Sequence, residues 1–418
     1  MLEEDKKTVA NNTLMLYLLS GSNYIFGFIT VPLLTRVLGA KNYGLVGFAS
    51  STAYIVQMIL EFGFILSATI EVANNRDNRA EICKIVTCVT YAKVLLILAV
   101  IPVLVILCLT VDSFRSEPIL FSFYFMYAAI SALLPDFFFR GIERMTVVTI
   151  RTVIIKAVFT SCVFIFIHGP SQYILVPIFY LLGGILATVF AYYQMKINEG
   201  VWFVSVSFKD VFLEMRNSFL FFLSRIASTA YSSLNTVVLG ILYAGLPVVG
   251  FYTSCDKLIL AGRNAITPLS NSLFPYVVRT KNLKIVYQVS IIGTSILIGI
   301  CLFIAVNAEA ICIMLFGDGY ADAAPILRIM LPLIPISLPS YLFGWSALGA
   351  LNKSNIANTS VFVGAGVQLS ILLFAFTFGL LSPELICWST MLAELVVLTI
   401  RIIATFITVR KNTIKNHS

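Results

Sequence analysis

Residues 85–109 read IVTCVTYAKVLLILAVIPVLVILCL, an apolar run interrupted by a single charged residue, Lys93. An α-helix rises 1.5 Å per residue, so about 20 apolar residues cross the roughly 30 Å of hydrocarbon in a bilayer. Similar runs recur along the whole sequence, and the pattern predicts an all-α polytopic membrane protein of about twelve transmembrane helices. We place the spans at residues 12–35, 43–69, 85–109, 118–139, 147–167, 173–195, 217–241, 248–275, 285–315, 325–350, 357–380 and 384–409.

The composition agrees with this class. Hydrophobic residues make up 59% of the 418 positions and charged residues only 11%, whereas a soluble domain carries about 25% charged residues. No polar stretch is long enough to hold an inserted soluble domain. The first ten residues are polar, and the run that follows is longer than a signal-peptide core. We therefore expect a first transmembrane span there and not a cleaved signal.

The basic residues are distributed unevenly between the predicted loops. Of the 28 Lys and Arg residues, we assign nineteen to the side of the termini, including Arg151 and Lys156 of the span at 147–167, and four to the opposite side, including Arg328 of the span at 325–350. The other five are assigned to span interiors. Because basic loops stay in the cytoplasm, we expect both termini to be cytoplasmic and the protein to lie in a bacterial inner membrane. The net charge of +8 is then explained by topology, and we expect no nucleic-acid partner.

A weak internal repeat divides the chain near its middle. Residues 38–50 read LGAKNYGLVGFAS and residues 241–253 read ILYAGLPVVGFYT, so that a Gly-Phe pair recurs at a shift of 203 residues. Each segment joins the first two spans of a six-span half. The sequence thus predicts a parallel repeat, with one lobe at 1–196, a cytoplasmic interfacial linker at 197–216 and a second lobe at 217–418.

Two segments have local signals of their own. Ser207 and Asp210 have the spacing of a helix N-cap box, which predicts a short interfacial helix or, alternatively, an early start to span seven. The tenth span contains four prolines, each of which is poorly tolerated inside a helix. We expect that span to be broken, as spans that line transport sites often are. A plain packing kink is an equal alternative for any single proline. The prolines are Pro325, Pro332, Pro335 and Pro339.

The sequence lacks the usual signatures of an enzyme. No phosphate-binding Gly-rich loop, HExxH or GxSxG motif occurs, the eight cysteines form no CxxC pair, and there are only two histidines. We therefore expect a transporter and not an enzyme, with no metal site and no cofactor.

The residues most informative about function are charges inside the predicted spans. Each costs about 2.5–3.5 kcal/mol at a helix centre and should face a wet interior or a partner. The excess of bases predicts an anionic substrate bound by the five cations, and the three acids are candidates for proton or ion coupling. The bases are Lys93, Arg225, Lys257, Arg263 and Arg401, and the acids are Glu61, Asp256 and Glu394.

Other roles remain open for several of these residues. Lys93 and Arg225 lie close enough to the cytoplasmic surface to extend towards it. Glu394 and Arg401 are seven residues apart on one helix face, so they can form a structural pair with each other or with other spans. Glu61 has no cation three or four residues away, and an unpaired buried carboxyl tends to be protonated.

Four segments resemble the signatures of bacterial polysaccharide transporters. They are PLLTRVLGAKNYGLVGFAS from Pro32, PDFFFRGIERM from Pro135, LFPYVVR from Leu273 and LFGDGYADAAPILRIM from Leu315. The resemblance is closest to the O-antigen flippases (Wzx-type) of the multidrug/oligosaccharidyl-lipid/polysaccharide exporter superfamily. Asp136-Phe137 departs from the pattern, because many members carry Trp in this stretch.

The resemblance implies two six-helix lobes around a central cavity and translocation of an undecaprenyl-pyrophosphate-linked oligosaccharide to the periplasmic leaflet by alternating access. It also implies membrane lipids, a glycan polymerase and a chain-length regulator as partners. A drug or cation antiporter of the same superfamily is the alternative, although it should have more carboxylates in its interior. A membrane-embedded glycan polymerase or ligase is a further alternative, disfavoured because the external loops are short.

Overall fold

The computed structural model describes the backbone of residues 2–417 and the side chains of this range except 2–10, 23–24, 224, 227–232 and 411–417. Its regular secondary structure is helical, and the described residues contain no β-strand. The chain divides into two compact units, Met1–Gly245 and Leu246–Ser418. The all-α class predicted from the apolar runs is confirmed.

Unit 1 contains nine α-helices and one 3-10 turn at Pro170–Gln172. The helices are α1 (Leu2–Glu61), α2 (Phe64–Asn74), α3 (Arg79–Thr110), α4 (Asp112–Arg115), α5 (Pro118–Ala132), α6 (Asp136–Gly141), α7 (Met145–Phe166), α8 (Leu175–Ile197) and α9 (Phe208–Leu242).

Unit 2 contains eight α-helices, a 3-10 segment at Asp318–Ala323 and a π-helical segment at Leu342–Ala347. The helices are α10 (Pro247–Thr280), α11 (Lys284–Val306), α12 (Ala308–Phe316), α13 (Ala324–Met330), α14 (Leu333–Tyr341), α15 (Leu348–Ala350), α16 (Ser354–Thr377) and α17 (Pro383–His417).

The helices account for twelve predicted spans. Among the described residues, nine helical stretches are long and apolar enough to cross a membrane, and the first of them, Asn11–Asn74, has 64 residues. Gly39 interrupts that stretch with φ 71° and ψ 168°, a backbone conformation that glycine adopts readily, so the stretch holds two spans. The more polar helices α9 and α10, which are not among these nine stretches, lie at the positions predicted for spans seven and eight.

The predicted break in span ten is confirmed. Helix α13 ends at Met330, just before Pro332, and α14 resumes at Leu333 with Pro339 inside its last turn. The π-helical segment follows directly. A π-helical turn departs from the regular hydrogen-bond ladder and often marks a functional position, so two departures from α-geometry lie within this one span.

The N-cap box at the start of α9 is also confirmed. The Asp210 amide donates to Ser207 Oγ at 3.2 Å, and the Ser207 amide donates back to Asp210 Oδ2 at 3.1 Å. The helix then continues without a break to Leu242, so the prediction of a separate interfacial helix is wrong. The helix that contains span seven begins at Phe208, ahead of the predicted span. The contacts group α9 with unit 1, whereas the sequence places its span in the second lobe, and the predicted lobe boundaries stay a prediction.

The two Gly-Phe segments of the proposed repeat occupy similar settings. The Phe48 ring packs edge-on against Phe114 and Phe121, at centroid distances of 5.2 and 5.1 Å. In unit 2 the Phe251 ring packs edge-on against Tyr320 at 5.5 Å. Each phenylalanine therefore lies in an aromatic cluster near the start of the second span of its half, which supports the repeat.

Candidate functional site

Glu61 in unit 1 is paired with a cation from another helix. Its Oε2 atom lies 2.9 Å from Nη1 of Arg225, and Gln57 donates to its Oε1 atom at 2.9 Å. Helix α1 ends at Glu61 because Phe62 and Gly63 both have positive φ, and a Cβ at Gly63 would lie 2.6 Å from the Phe222 amide nitrogen. This close approach brings α9, and hence Arg225, to Glu61. The expectation of an unpaired Glu61 carboxyl is therefore wrong.

Lys93 in α3 points into the protein and is only 4% exposed. Its ammonium donates to the Leu134 carbonyl at 3.2 Å and lies 5.2 Å from the centre of the Phe137 ring. Leu134 falls in the gap between α5 and α6, so its carbonyl is available to a side chain. The alternative in which Lys93 extends to the membrane surface does not hold.

A buried ion pair that the sequence analysis missed lies beside Lys93. Arg151 Nη2 is 2.7 Å from Asp136 Oδ1, and the arginine side chain is 3% exposed. Arg151 was counted with the cytoplasmic loops although it falls within the predicted span 147–167, and that position was the available signal. We define the unit 1 cluster as Glu61, Lys93, Asp136, Arg151 and Arg225, three cations with two carboxylates.

The corresponding pair in unit 2 joins α10 to α17. Arg263 Nη2 contacts Glu394 Oε1 directly, and the carboxylate side chain is 6% exposed. Asp256 and Lys257 lie about two helical turns away on α10, and the Asp256 carboxyl interacts electrostatically with Lys257 and Arg263. We define the unit 2 cluster as Asp256, Lys257, Arg263 and Glu394.

Lys257 is the exposed member of the unit 2 cluster, whereas Asp256 is partly buried. Within the part of the chain that the structure describes, no ion pair or hydrogen bond is formed by either side chain. Lys257 is therefore the cation of this cluster best placed to meet a bound anion.

Arg401 lies apart from this cluster and bonds to neutral oxygens. Its guanidinium donates to the carbonyl and hydroxyl of Ser340 at 2.8 and 2.9 Å, to Ser360 Oγ at 2.9 Å and to the Ala357 carbonyl at 3.2 Å. The approach depends on Gly344 in the π-helical segment, where a Cβ would lie 2.8 Å from Arg401 Cζ. Arg401 thus connects α17 to α14 and α16, and Glu394 pairs with Arg263 instead.

Neither cluster has the ligands of a metal centre. Among the described residues, no group of three or more His, Cys, Asp or Glu side chains could hold a metal ion. The arrangement offers instead cations and carboxylates on packed helices, which can bind an anion or exchange a proton.

Comparisons with known proteins give the same class. Two curated proteins match most of this chain, and each is named "Putative O-antigen transporter". The Escherichia coli K12 protein is 25% identical over 385 residues, covering 90% of this chain and 92% of its own length. The Shigella dysenteriae protein is 26% identical over 371 residues, covering 87% and 91%.

Solved structures show the same fold at low sequence identity. The inward closed lipid II flippase MurJ aligns with a TM-score of 0.71 at 14% identity, covering 94% of this chain and 87% of that one. An inward-facing multidrug resistance MATE transporter of the MOP superfamily aligns with a TM-score of 0.62 at 14% identity, covering 92% and 98%.

The sequence profile of the polysaccharide biosynthesis protein family matches residues 9–281. Together with the curated relatives, this match confirms the resemblance stated from the four motifs and the expectation of a membrane transporter and not an enzyme. The chain belongs to the polysaccharide biosynthesis protein family.

Proposed function

We propose that this protein is a flippase that moves an undecaprenyl-pyrophosphate-linked oligosaccharide, an O-antigen repeat unit, from the cytoplasmic to the periplasmic leaflet by alternating access. Both termini are then cytoplasmic, and the membrane is the bacterial inner membrane. The family, the names of the curated relatives and the charge of the buried clusters support the proposal.

The observation that carries the proposal is the excess of cations within the helices. The unit 1 cluster has three basic and two acidic side chains. Among the described residues the Lys93 ammonium contacts a carbonyl and an aromatic ring, while Glu61 and Asp136 act on it only from beyond ion-pair distance. A charge held this way inside a membrane protein is costly. An anionic headgroup would offset that cost, whereas a cationic drug would increase it.

Within this proposal the pyrophosphate is bound by the cations that can exchange partners. Lys257 is exposed. The Arg263 guanidinium could exchange the Glu394 carboxylate for a phosphate oxygen, to which it would donate charge-assisted hydrogen bonds. Lys93 and Arg225 would supply the same charge in unit 1. We do not include Arg401, because its hydrogen bonds to neutral oxygens give it a structural role.

The three acids proposed for coupling differ in whether an arginine is paired with them. Glu61 and Glu394 are each paired with an arginine, so a proton could reach either only when that pair opens. Asp256 has no such arginine pair among the described residues, and it remains a candidate for coupling beside Lys257.

The proposal can be tested with purified protein in proteoliposomes. We expect a fluorescent polyprenyl-pyrophosphate oligosaccharide to become accessible in the opposite leaflet, and Lys257→Ala to reduce the initial rate at least about tenfold, the loss expected when about 1.4 kcal/mol of anion binding is removed. Lys257→Arg should keep most of the rate because it keeps the charge.

A gradient of a cationic dye provides the competing measurement in the same vesicles. Export of the dye without movement of the lipid-linked sugar would establish the antiporter and contradict the flippase. Arg410→Ala, an exposed change near the end of α17, is the matched control and should leave the lipid transport rate unchanged.

A further inference from the structure

Helices α2 and α9 of unit 1 are in close contact along one antiparallel seam. The contacts repeat every four residues: each step of four towards the C-terminus, from the turn before α2 into that helix, matches a step of four towards the N-terminus on α9. The Gly63 backbone meets that of Phe222, and Ser67 Oγ lies 2.7 Å from Ser218 Oγ. The next pair along the seam consists of two acids, Glu71 and Glu214.

The two carboxyl groups lie close enough to each other to share a hydrogen bond. Glu214 is only 7% exposed, and its Oε1 atom is buried with no hydrogen-bond partner. A hydrogen bond between two carboxyl groups requires a proton on one of them, because two carboxylates have acceptors only. Two carboxylates in contact also repel each other, as in other acid pairs that share a proton.

The charged groups around the pair leave it without a cationic partner among the described residues. From α3, the Lys84 ammonium pairs with Asp210 at 3.0 Å. The buried Cys88 thiol interacts electrostatically with Glu214, and Glu81 interacts in the same way with Lys84. From α1, Glu61 pairs with Arg225, eleven residues further along α9. From α6, which packs against α2, Asp136 pairs with Arg151 and Arg140 is exposed. Helix α4, with Asp112 and Arg115, meets the far end of α9, where Ser113 bonds Ile241.

We propose that Glu71 and Glu214 form a proton-binding site that couples proton release to separation of α9 from α2. The inference rests on the proposed function only for its role in transport. In the seam described above, the pair holds one proton in an O–H···O bond. When the proton leaves to water, both groups become carboxylates, the bond between them is lost and their repulsion pushes the two helices apart.

The pKa of Glu214 sets the pH at which the pair releases its proton. Glu214 precedes the predicted span 217–241, and burial, followed by the charge and hydrogen bond of Glu71, raises its pKa to about 8. For a carboxyl whose pKa is raised by folding, the stabilisation is complete below the ordinary carboxyl pKa and is lost as the pH rises through the raised value. The seam is therefore closed in acid and weakened above about pH 8.

Infrared titration of the purified full-length protein in nanodiscs tests the proposal without any transport assay. We expect the carbonyl stretching band of a protonated carboxyl to persist at neutral pH and to disappear with a midpoint near pH 8. Glu214→Gln should remove the band. Glu71→Gln should lower the midpoint but keep it above the ordinary glutamate value of about 4.3, because burial remains.

The matched control is Glu309→Gln, an exposed acid of α12, which should leave the band unchanged. A native band that titrates like an ordinary carboxyl, or a band unchanged in both seam variants, would overturn the proposal. Loss of the native band on adding sodium at constant pH would also overturn it, since the acids would then bind a metal ion.

Transport measurements separate this proposal from the proposed function. If the band behaves as expected but no lipid-linked oligosaccharide moves at any pH, the proton site stands and the flippase assignment is wrong. If the native protein transports and its rate depends on pH, Glu71→Gln and Glu214→Gln should flatten that dependence. A pH profile unchanged in both variants would overturn the coupling.

Discussion

The two units use intramembrane charge in different ways. In unit 1, two ion pairs connect four helices, Glu61 with Arg225 and Asp136 with Arg151, and Lys93 is held by a carbonyl and a ring. In unit 2, one ion pair connects α10 to α17, and Arg401 is satisfied by oxygens of α14 and α16. Among the described residues, each unit therefore holds one buried cation, Lys93 or Arg401, whose hydrogen bonds go to neutral groups.

The difference shows that a cation that stabilises the fold is not the same as a cation that is free to bind an anion. A guanidinium that forms four hydrogen bonds to packed helices cannot leave them without exposing unsatisfied groups, whereas an exposed ammonium such as Lys257 can. Counting charges along the sequence treats both as equal members of a cationic interior. The contacts show that the number of cations overstates the number free to bind an anion.

The largest effect should follow removal of Arg401. Arg401→Leu removes the four hydrogen bonds that the buried guanidinium donates to Ser340, Ser360 and Ala357. We expect a loss of about 4 kcal/mol or more in unfolding free energy, since each hydrogen bond to a charged group contributes about 1.5–3 kcal/mol. Thermal unfolding in detergent would measure it.

Arg401→Lys separates charge from geometry. It should recover little stability, because an ammonium lacks the planar fork that reaches three residues. Native stability of the lysine variant would show that charge alone holds this part of unit 2 together and would remove the contrast between Arg401 and Lys257.

An intermediate effect should distinguish the two Glu–Arg pairs. Glu394→Gln keeps an acceptor for Arg263 but removes the countercharge from a site where the carboxylate is 6% exposed, and we expect a loss of about 2 kcal/mol. Glu61→Gln should cost about 1 kcal/mol, because that pair is more exposed and Gln57 remains beside it. Equal losses in the same unfolding assay would contradict the ranking.

The smallest effect should follow replacement of Lys93. Lys93→Met keeps the length of the side chain and its packing while removing a buried charge that forms no ion pair among the described residues. We expect unfolding free energy to change by less than about 1 kcal/mol in either direction. Transport of the lipid-linked sugar should nevertheless fall, and an unaltered transport rate would exclude Lys93 from the anion site.

The sequence predicts the helical spans well because bilayer thickness sets their length and composition. Gly39, the four prolines of span ten and the cap at Ser207 are local signals, and each coincides with a break or a helix start in the structure. These features depend on a few neighbouring residues, so they can be recognised without knowledge of the tertiary contacts.

The partners of the buried charges could not be predicted in the same way. Glu61 and Arg225 are 164 residues apart in the chain, and nothing near either residue indicates the other. The Glu71–Glu214 contact depends on the approach of two backbones at Gly63, which is likewise a tertiary feature. Arg151 was missed for a simpler reason, because it was assigned to the cytoplasmic side although it falls within the predicted span 147–167.

The hydrogen bonds of Arg401 have a consequence for how the chain is made. Ser340 is 61 residues ahead of Arg401, so the ribosome completes the broken span well before the side chain that binds its carbonyl has been synthesised. During that interval the span must find temporary hydrogen-bond partners in water, lipid headgroups or the insertion machinery. Assembly of unit 2 can therefore finish only when the last helix arrives, and chains truncated before α17 should be recognised as incomplete and degraded.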